Sequence, residues 1–360
     1  MLVITLPRII IPEDVDALAI GGTILGGGGG GWPEIGRSDG HLALKMGRIE
    51  LWGPDEADPE WKVITSAALG APTEPGNTKP MHFIKAAQLL RDAGVEFQGV
   101  IAAENGGQNS FGGWVIAASL GLPVVDTPGD GRAHPTAMMG SMGLHRQGYK
   151  SVKAGVTEGC EVICWGSLQT TSNVIRAQAR DMKALIAMAR DPVPVSYAKK
   201  YGAPGAICMA IELGYTHLKA RLRGAEAAVG AVAGFLGGEL TCKGRIVKKV
   251  NEAKGGFDVG FLTIASGGGV FELTFVNEYM TLERDGCRLA TFPDLLTTFN
   301  DEGEPVTSAA LSEGQVIYLV TVAKEKIPVG HGNMYPEIYE PIEAVLGKPM
   351  VKFLEGYLFP

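Results

Sequence analysis

The sequence predicts an α/β fold, with a layered N-terminal α/β domain on a mostly parallel sheet followed by a β-rich sandwich or barrel. Three observations carry this. Through residues 1–165, apolar β-branched runs alternate with amphipathic stretches, the pattern of a layered α/β domain. Within that region, Val100–His145 reads strand, Gly-rich loop, helix, then the same again, a β-α-β unit with parallel strands and a right-handed crossover. From Gly244 to Ala323 the segments become short and β-branched, separated by Gly, Asp and Asn turns.

The first predicted element is a helix over Pro12–Leu25. Glu13, Asp14 and Asp16 sit early, where the helix dipole favours acids, and Val15, Leu18, Ala19 and Leu25 form an apolar face. Six glycines follow, Gly26–Gly31. A phosphate loop would follow a strand and open a helix, whereas this run follows a helix. Its first glycine reads as a helix cap, and the surplus leaves room for close approach of a ligand or another loop. Pro33 starts a second helix, Glu34–Met46. Ile49–Leu51 and Lys62–Ala68 read as strands, and Met81–Ala93 as a helix stopped by Gly94. Val100–Ala103 and Leu122–Val125 are buried strands flanking a short helix, Phe111–Leu120. Met138–His145 reads as another helix. A mixed strand region, Ser151–Trp165, is followed by helices over Val174–Arg190, Ala206–Arg221 and Ala225–Leu236. Arg284-Asp285-Gly286 marks a hairpin in the β region. The expected divisions are an α/β domain at 1–165, a helical connecting region at 166–240, a barrel-like domain at 241–325 and a tail at 326–360 that packs back on the first domain.

Composition narrows the function. The chain has 360 residues, 46 % of them hydrophobic, and a net charge of −7. That fits two or three domains with a substantial core and no basic nucleic-acid face. No stretch is long enough to span a bilayer, and residues 1–16 lack the pattern of a secretory leader. The five cysteines are scattered, as expected of reduced thiols in a cytoplasmic protein. Cys160 and Cys164 fall on one strand face roughly 13 Å apart, too far to share a metal, and read as small packed side chains.

The residues with chemistry concentrate where the two central strands end. Glu104 and Asp126 each follow an apolar strand, and neighbouring parallel strands would deliver both to one sheet edge, where open α/β sheets bind ligands. The second loop adds Asp130, Arg132 and His134. Such a set can polarise a carbonyl, activate water and protonate a leaving group. Asn105 and Asn109 carry amides suited to a planar amide-like substrate. Gly28 and Gly29, in the glycine run, are candidates for backbone contact with it. The candidate catalytic residues are thus Glu104, Asp126, Asp130, Arg132 and His134, and the substrate-binding residues Gly28, Gly29, Asn105 and Asn109. His331, between glycines, could join His134 as a ligand for a divalent metal such as zinc, although no H-E-x-x-H spacing is present. No cofactor is certain. His145 reads as a helix-terminal surface residue. Asn277-Glu278 and Asp294 read as turn residues of the β domain.

An ordered set of motifs runs through nearly the whole chain: ILGGGGGGWP (24–33), GAPT (70–73), AENGGQNS (103–110), PVVDTPGDGRAHP (123–135), GFDVGF (256–261), FVNEYMTLERDG (275–286) and FPDLLT (292–297). In this order they resemble the S-methyl thiohydantoin desulfurase family, often found beside hydantoinase and oxoprolinase subunits. The resemblance implies a β-rich swivelling-type second domain. It also implies hydrolysis of an S-methyl thiohydantoin to a hydantoin and methanethiol. Asn105, His134 and Thr136 depart from the commonest family form, inside the expected site. The reading from residues and resemblance together is a hydrolase of a hydantoin-like ring. Asp126 or Glu104 would be the base or hold a metal, His134 the acid, and Arg132 with the glycine backbone the stabiliser of developing charge. The alternative is a non-catalytic partner subunit of a hydantoinase-like assembly; a homo-oligomer fits either. A nucleotide-dependent enzyme working through Gly26–Gly31 is a third class.

Overall fold

The computed structural model of the chain describes residues 7–74 and 76–359; the leader reading at residues 1–6 lies outside them. The first sheet has eight strands. In spatial order they are β1 (Arg8–Ile9), β2 (Glu50–Trp52), β5 (Val124–Val125), β4 (Gly99–Ala102), β3 (Lys62–Leu69), β8 (Ile186–Pro194), β6 (Ser151–Thr157) and β7 (Cys160–Gly166). The central run β2-β5-β4-β3 is parallel, and the strands on either side of it are antiparallel. This mixed sheet with a parallel centre matches the expected α/β class.

Helices α1 (Pro12–Leu25), α2 (Pro33–Met46), α3 (Pro80–Asp92), α4 (Gly112–Leu120) and α5 (Leu168–Met182) belong to this first half of the chain. After the short α6 (Val195–Tyr201) come α7 (Ala206–Arg221) and α8 (Ala225–Leu236). α1 is buried almost along its whole length because α7 crosses it at backbone distance. A Cβ at Gly21 would lie 1.8 Å from the Ala210 carbonyl oxygen, and one at Gly214 1.8 Å from that of Ala17. Glycine inside both helices is the condition for the crossing.

The second sheet is wholly antiparallel, in the order β13 (Cys287–Thr291), β12 (Glu278–Arg284), β11 (Gly269–Val276), β10 (Phe257–Ser266), β9 (Glu239–Lys254), β16 (Val316–Val322), β14 (Leu295–Asn300) and β15 (Pro305–Val306). Its end strands β13 and β15 pair only with their inner neighbours and not with each other, so among the described residues the expected barrel-like domain is an open sheet rather than a closed barrel. The Arg284-Asp285-Gly286 hairpin joins β12 to β13 as read from the sequence. The tail, with α9 (Glu340–Leu346), packs Ile338, Tyr339 and Ile342 against Met139 of the first half and Val276, Met280 and Phe292 of the second.

Two expectations need correction. The helix expected over Val174–Arg190 is α5 followed by β8, a central strand of the first sheet, so 166–240 is not merely a helical connection. The helix expected over Met138–His145 is instead a pair of short 3₁₀ turns, Met139–Ser141 and Leu144–Gln147.

Candidate active site

β4 and β5 are parallel neighbours, so Glu104 and Asp126 do leave the same sheet edge. Their side chains then part. Glu104 enters a cleft lined also by Gln108, Asn109, His134 and Arg190, while Asp126 turns to α7. There its carboxylate accepts the N–H groups of Ile207 at 2.7 Å and Cys208 at 3.0 Å, capping α7. These N–H groups have no partner within the helix, which fixes where the acid goes.

Glu104 is buried and held from several sides. The Asn109 amide donates to Oε1 at 2.6 Å, and the His134 backbone N–H donates to Oε2 at 3.1 Å. Asn109 is itself fixed, because its Oδ1 accepts the Ala68 N–H at 2.7 Å. The His134 ring lies over the same carboxyl, with Nε2 3.2 Å from Oε2. Asn109 therefore orients Glu104 rather than reading a substrate edge with a free amide.

The second acid of the cleft is Glu278, which opens β12 in the other half of the chain. Its Oε1 accepts the Gly30 N–H at 3.1 Å, and its Oε2 has no partner. From the sequence alone this residue reads as a turn-former. The glycine run joins it to the first half: the Gly30 carbonyl accepts the N–H groups of Gln108 at 2.9 Å and Asn109 at 3.1 Å. A Cβ at Gly29 would sit 2.0 Å from Glu278 Oε1, and one at Gly30, whose φ is +77°, 2.5 Å from the Gly106 Cα. Only a chain without side chains passes between these two loops. Gly28 meets the Tyr279 ring instead. Gly30 and Gly31 line the cleft, not Gly28 and Gly29 as expected.

Burial and mutual repulsion set the protonation of this group. Burial, reinforced by the charge of Glu278, raises the Glu104 carboxyl well above the usual range. Burial lifts Glu278 to about 7, against the pull of the Gly30 N–H and the Arg132 charge. Burial and then the Arg190 charge push His134 down to about 3, so the imidazole is neutral. Two carboxyls that repel one another in an apolar site share protons, and the pair ionises stepwise. Burial thus works against the charged imidazole expected to serve as the acid and favours the protonated form of Glu104.

The remaining sequence candidates lie outside the cleft. Asp130 holds the tail, accepting the Gly330 N–H at 3.0 Å and the Asn333 amide. Arg132 is buried at the junction with the second half. It donates to the carbonyls of Ala133, Pro293 and Asp294 and lies 4.3 Å from the Phe292 ring centre. Asn105 donates to the carbonyls of Gly131 at 3.2 Å and Ala206 at 2.8 Å. His331 packs against Tyr201 and Phe359. Among the described residues no group of three or more His, Cys, Asp or Glu side chains is placed to hold a metal ion.

The cleft recruits residues the sequence did not flag. Gln108, Arg176 and Arg190 line it, and Gln108 Oε1 and Arg190 Nε are buried without partners. Arg176 donates to the carbonyls of Gly256 and Pro135 while its guanidinium covers the Phe257 ring, tying the two halves together beside Glu278. GAPT is also pinned across the cleft: Asp258 accepts from the Thr73 N–H and hydroxyl, and Asn277 donates to the Gly70 carbonyl at 3.4 Å. FVNEYMTLERDG and the glycine run were thus the signals for Glu278, but nothing local to either shows that they meet.

Comparison with known proteins covers both halves. The family described as S-Me-THD-like, N-terminal domain, matches residues 13–164. Its companion, S-Me-THD-like, C-terminal domain, matches residues 167–327. A crystal structure of a protein from Chromobacterium violaceum is 19 % identical with a TM-score of 0.70 over 98 % of each chain, which establishes likeness of fold. No curated protein matches. No described helix is long and apolar enough to cross a membrane.

Proposed function

Because the chain belongs to the S-Me-THD-like family through both its domains, we propose that it hydrolyses the C–S bond of an S-methyl thiohydantoin, releasing methanethiol and a hydantoin. The observation that carries this reading is the pair of buried carboxyls, Glu104 and Glu278, which line one cleft, are both raised by burial, and as a repelling pair give up their protons in two steps. Such a split is how two carboxyls take acid and base roles near neutral pH.

Ionised Glu278 takes a proton from water as the water oxygen bonds to the ring carbon bearing sulfur. The C=N π pair moves onto the ring nitrogen. The C–S bond then breaks with its electron pair going to sulfur, which takes the proton of Glu104. The new hydroxyl gives its proton to the ring nitrogen and becomes the carbonyl. Transfer of the proton from Glu278 to Glu104 restores the starting state. The unpartnered Gln108 Oε1 and Arg190 Nε offer an acceptor and a donor to the N–H and C=O edges of such a ring.

The test is methanethiol release from 2-methylthio-imidazol-4-one substrates by the purified chain. Glu278→Gln and Glu104→Gln should each lower kcat by about 10²–10⁴-fold. Release that is absent from the wild type, with tight binding to a hydantoinase-like partner, would favour the subunit role instead. Release unaffected by either substitution would remove the two acids from the chemistry.

A further inference from the structure

Behind the cleft, one carboxylate serves two buried cations. Arg190 on β8 and Lys153 on β6 are cross-strand partners, and both are buried. Lys153 Nζ donates to Asp191 Oδ2 at 2.6 Å, and an Arg190 terminal nitrogen reaches the same oxygen at 3.3 Å. Ser151 Oγ donates to Asp191 Oδ1 at 2.6 Å. Among the described residues, Asp191 is the sole carboxylate in ion-pair reach of either cation. A buried charge without a counter-charge is strongly unfavourable, so this excess needs a function or a ligand.

The backbone is deformed to create it. Asp191 has a φ of +46°, uncommon for a residue with a side chain. The β3–β8 register slips at the same place, with Arg190 opposite Thr65 and Val193 opposite Val63. Bulges of this kind re-aim side chains beside functional sites. Here the re-aimed residue is a wall of the cleft. The terminal nitrogens of Arg190 are occupied by Asp191 and by the carbonyls of Ala137 and Gly140, while its Nε–H has no partner.

We propose that Arg190 is the anion-stabilising group of the cleft, the role the sequence assigned to Arg132, and that Lys153 acts through Asp191 to keep the Arg190 charge uncompensated until substrate binds. The choice of ring rests on the hydrolase reading above. When water adds, the displaced π pair places negative charge on the ring nitrogen and its adjoining carbonyl. Arg190 receives that charge without reorganisation, because Asp191 already divides its own between two cations. A preoriented donor of this kind is typically worth about 10²–10³-fold in rate. Lys153 does not line the cleft and is a positioning residue.

Two variants and two readouts test this. Arg190→Lys should lower kcat for methanethiol release about 10²-fold with KM within about threefold. Lys153→Met leaves Arg190 and Asp191 as a self-contained pair and keeps a buried side chain of similar length. It should lower kcat about tenfold, again without a matching rise in KM. Binding is read separately by calorimetry with rhodanine, a five-membered ring ionised at neutral pH, and hydantoin, which is neutral there. Both variants should weaken rhodanine at least about tenfold more than they weaken hydantoin. Equal effects on the two rings, or kinetic losses confined to KM, would overturn the proposal. If the wild type releases no methanethiol yet the rhodanine effect depends on Lys153 and Arg190, the hydrolase reading fails and the anion site stands. If methanethiol is released and both variants behave like wild type, the reverse holds.

Discussion

Replacing Asp130 with Asn separates a carboxylate that reacts from one that holds the fold. Asp130 accepts the Gly330 N–H at 3.0 Å and the Asn333 amide, and burial raises its carboxyl from 3.8 to about 7. The folded chain thus holds this proton more tightly than the unfolded chain. Folding is favoured most below about pH 4, where both states are protonated, and loses roughly 1.4 kcal/mol per pH unit up to about pH 7, above which both are ionised. Across that window the loss is on the order of 4 kcal/mol. Asn does not ionise, so Asp130→Asn removes it. The substituted side chain keeps an acceptor for Gly330, and its amide can donate to Asn333 Oδ1, which has no partner now, once the Asn333 amide turns over. Urea unfolding of both proteins at several pH values between about 4 and about 8 should show the variant gaining on wild type by about 4 kcal/mol, with no further gain above that range. Methanethiol release should stay within about threefold of wild type. A stability difference that does not vary with pH would refute the argument from burial. A folded variant with release down a hundredfold or more would return this carboxylate to the chemistry.

The other expectations follow from the same geometry. Asp126→Ala strips the cap from α7 and should cost about 2–3 kcal/mol in chemical denaturation, with kcat/KM of the folded fraction unchanged; a large fall in kcat would restore Asp126 as a base. Gly29→Ala drives a Cβ into Glu278 Oε1, so release should fall at least about tenfold even where circular dichroism shows an intact fold; wild-type kinetics would mean that the run tolerates a side chain. The pH profile of kcat/KM should rise through about 7 as Glu278 ionises and fall at higher pH as Glu104 loses its proton. A rising limb that survives Glu278→Gln would assign it to another group.

The fold was legible wherever a helix or strand carried its own stop. Pro12–Leu25, Ala206–Arg221 and Ala225–Leu236 match the sequence reading residue for residue, because glycine or an Arg-rich turn closes each one. The failure at Val174–Arg190 has an identifiable cause. α5 ends at Met182, and the chain reverses through Lys183 at φ +48°, a conformation usually given to glycine. Neither Gly nor Pro marks that place. The next residues, Ala184–Arg190, form a short apolar run, and periodicity does not distinguish a buried strand of that length from a helix. The sheet supplied the answer: β8 fills the gap between β3 and β6.

The site divides along the same line between local and distant information. Glu104 and His134 were readable because each follows a local signal, a strand end or a Gly-rich loop, and the two meet in the cleft. Asp126 carried the same signal and went elsewhere, because the free N–H groups of α7 offer its carboxylate two hydrogen bonds. The true partner of Glu104 comes from the other half of the chain, and no spacing rule reaches that far. What the sequence did contain was the demand for it. Six consecutive glycines require some other part of the chain to press against the backbone, and here the Gly106 loop presses from one side while Tyr279 and Glu278 press from the other. The glycine run is therefore the seam that sets how the two carboxyls face one cleft. Substitutions along it, and in the Asn277–Tyr279 segment across from it, should disturb the reaction more than equal changes in the Asp126–Arg132 loop, despite that loop's richer chemistry.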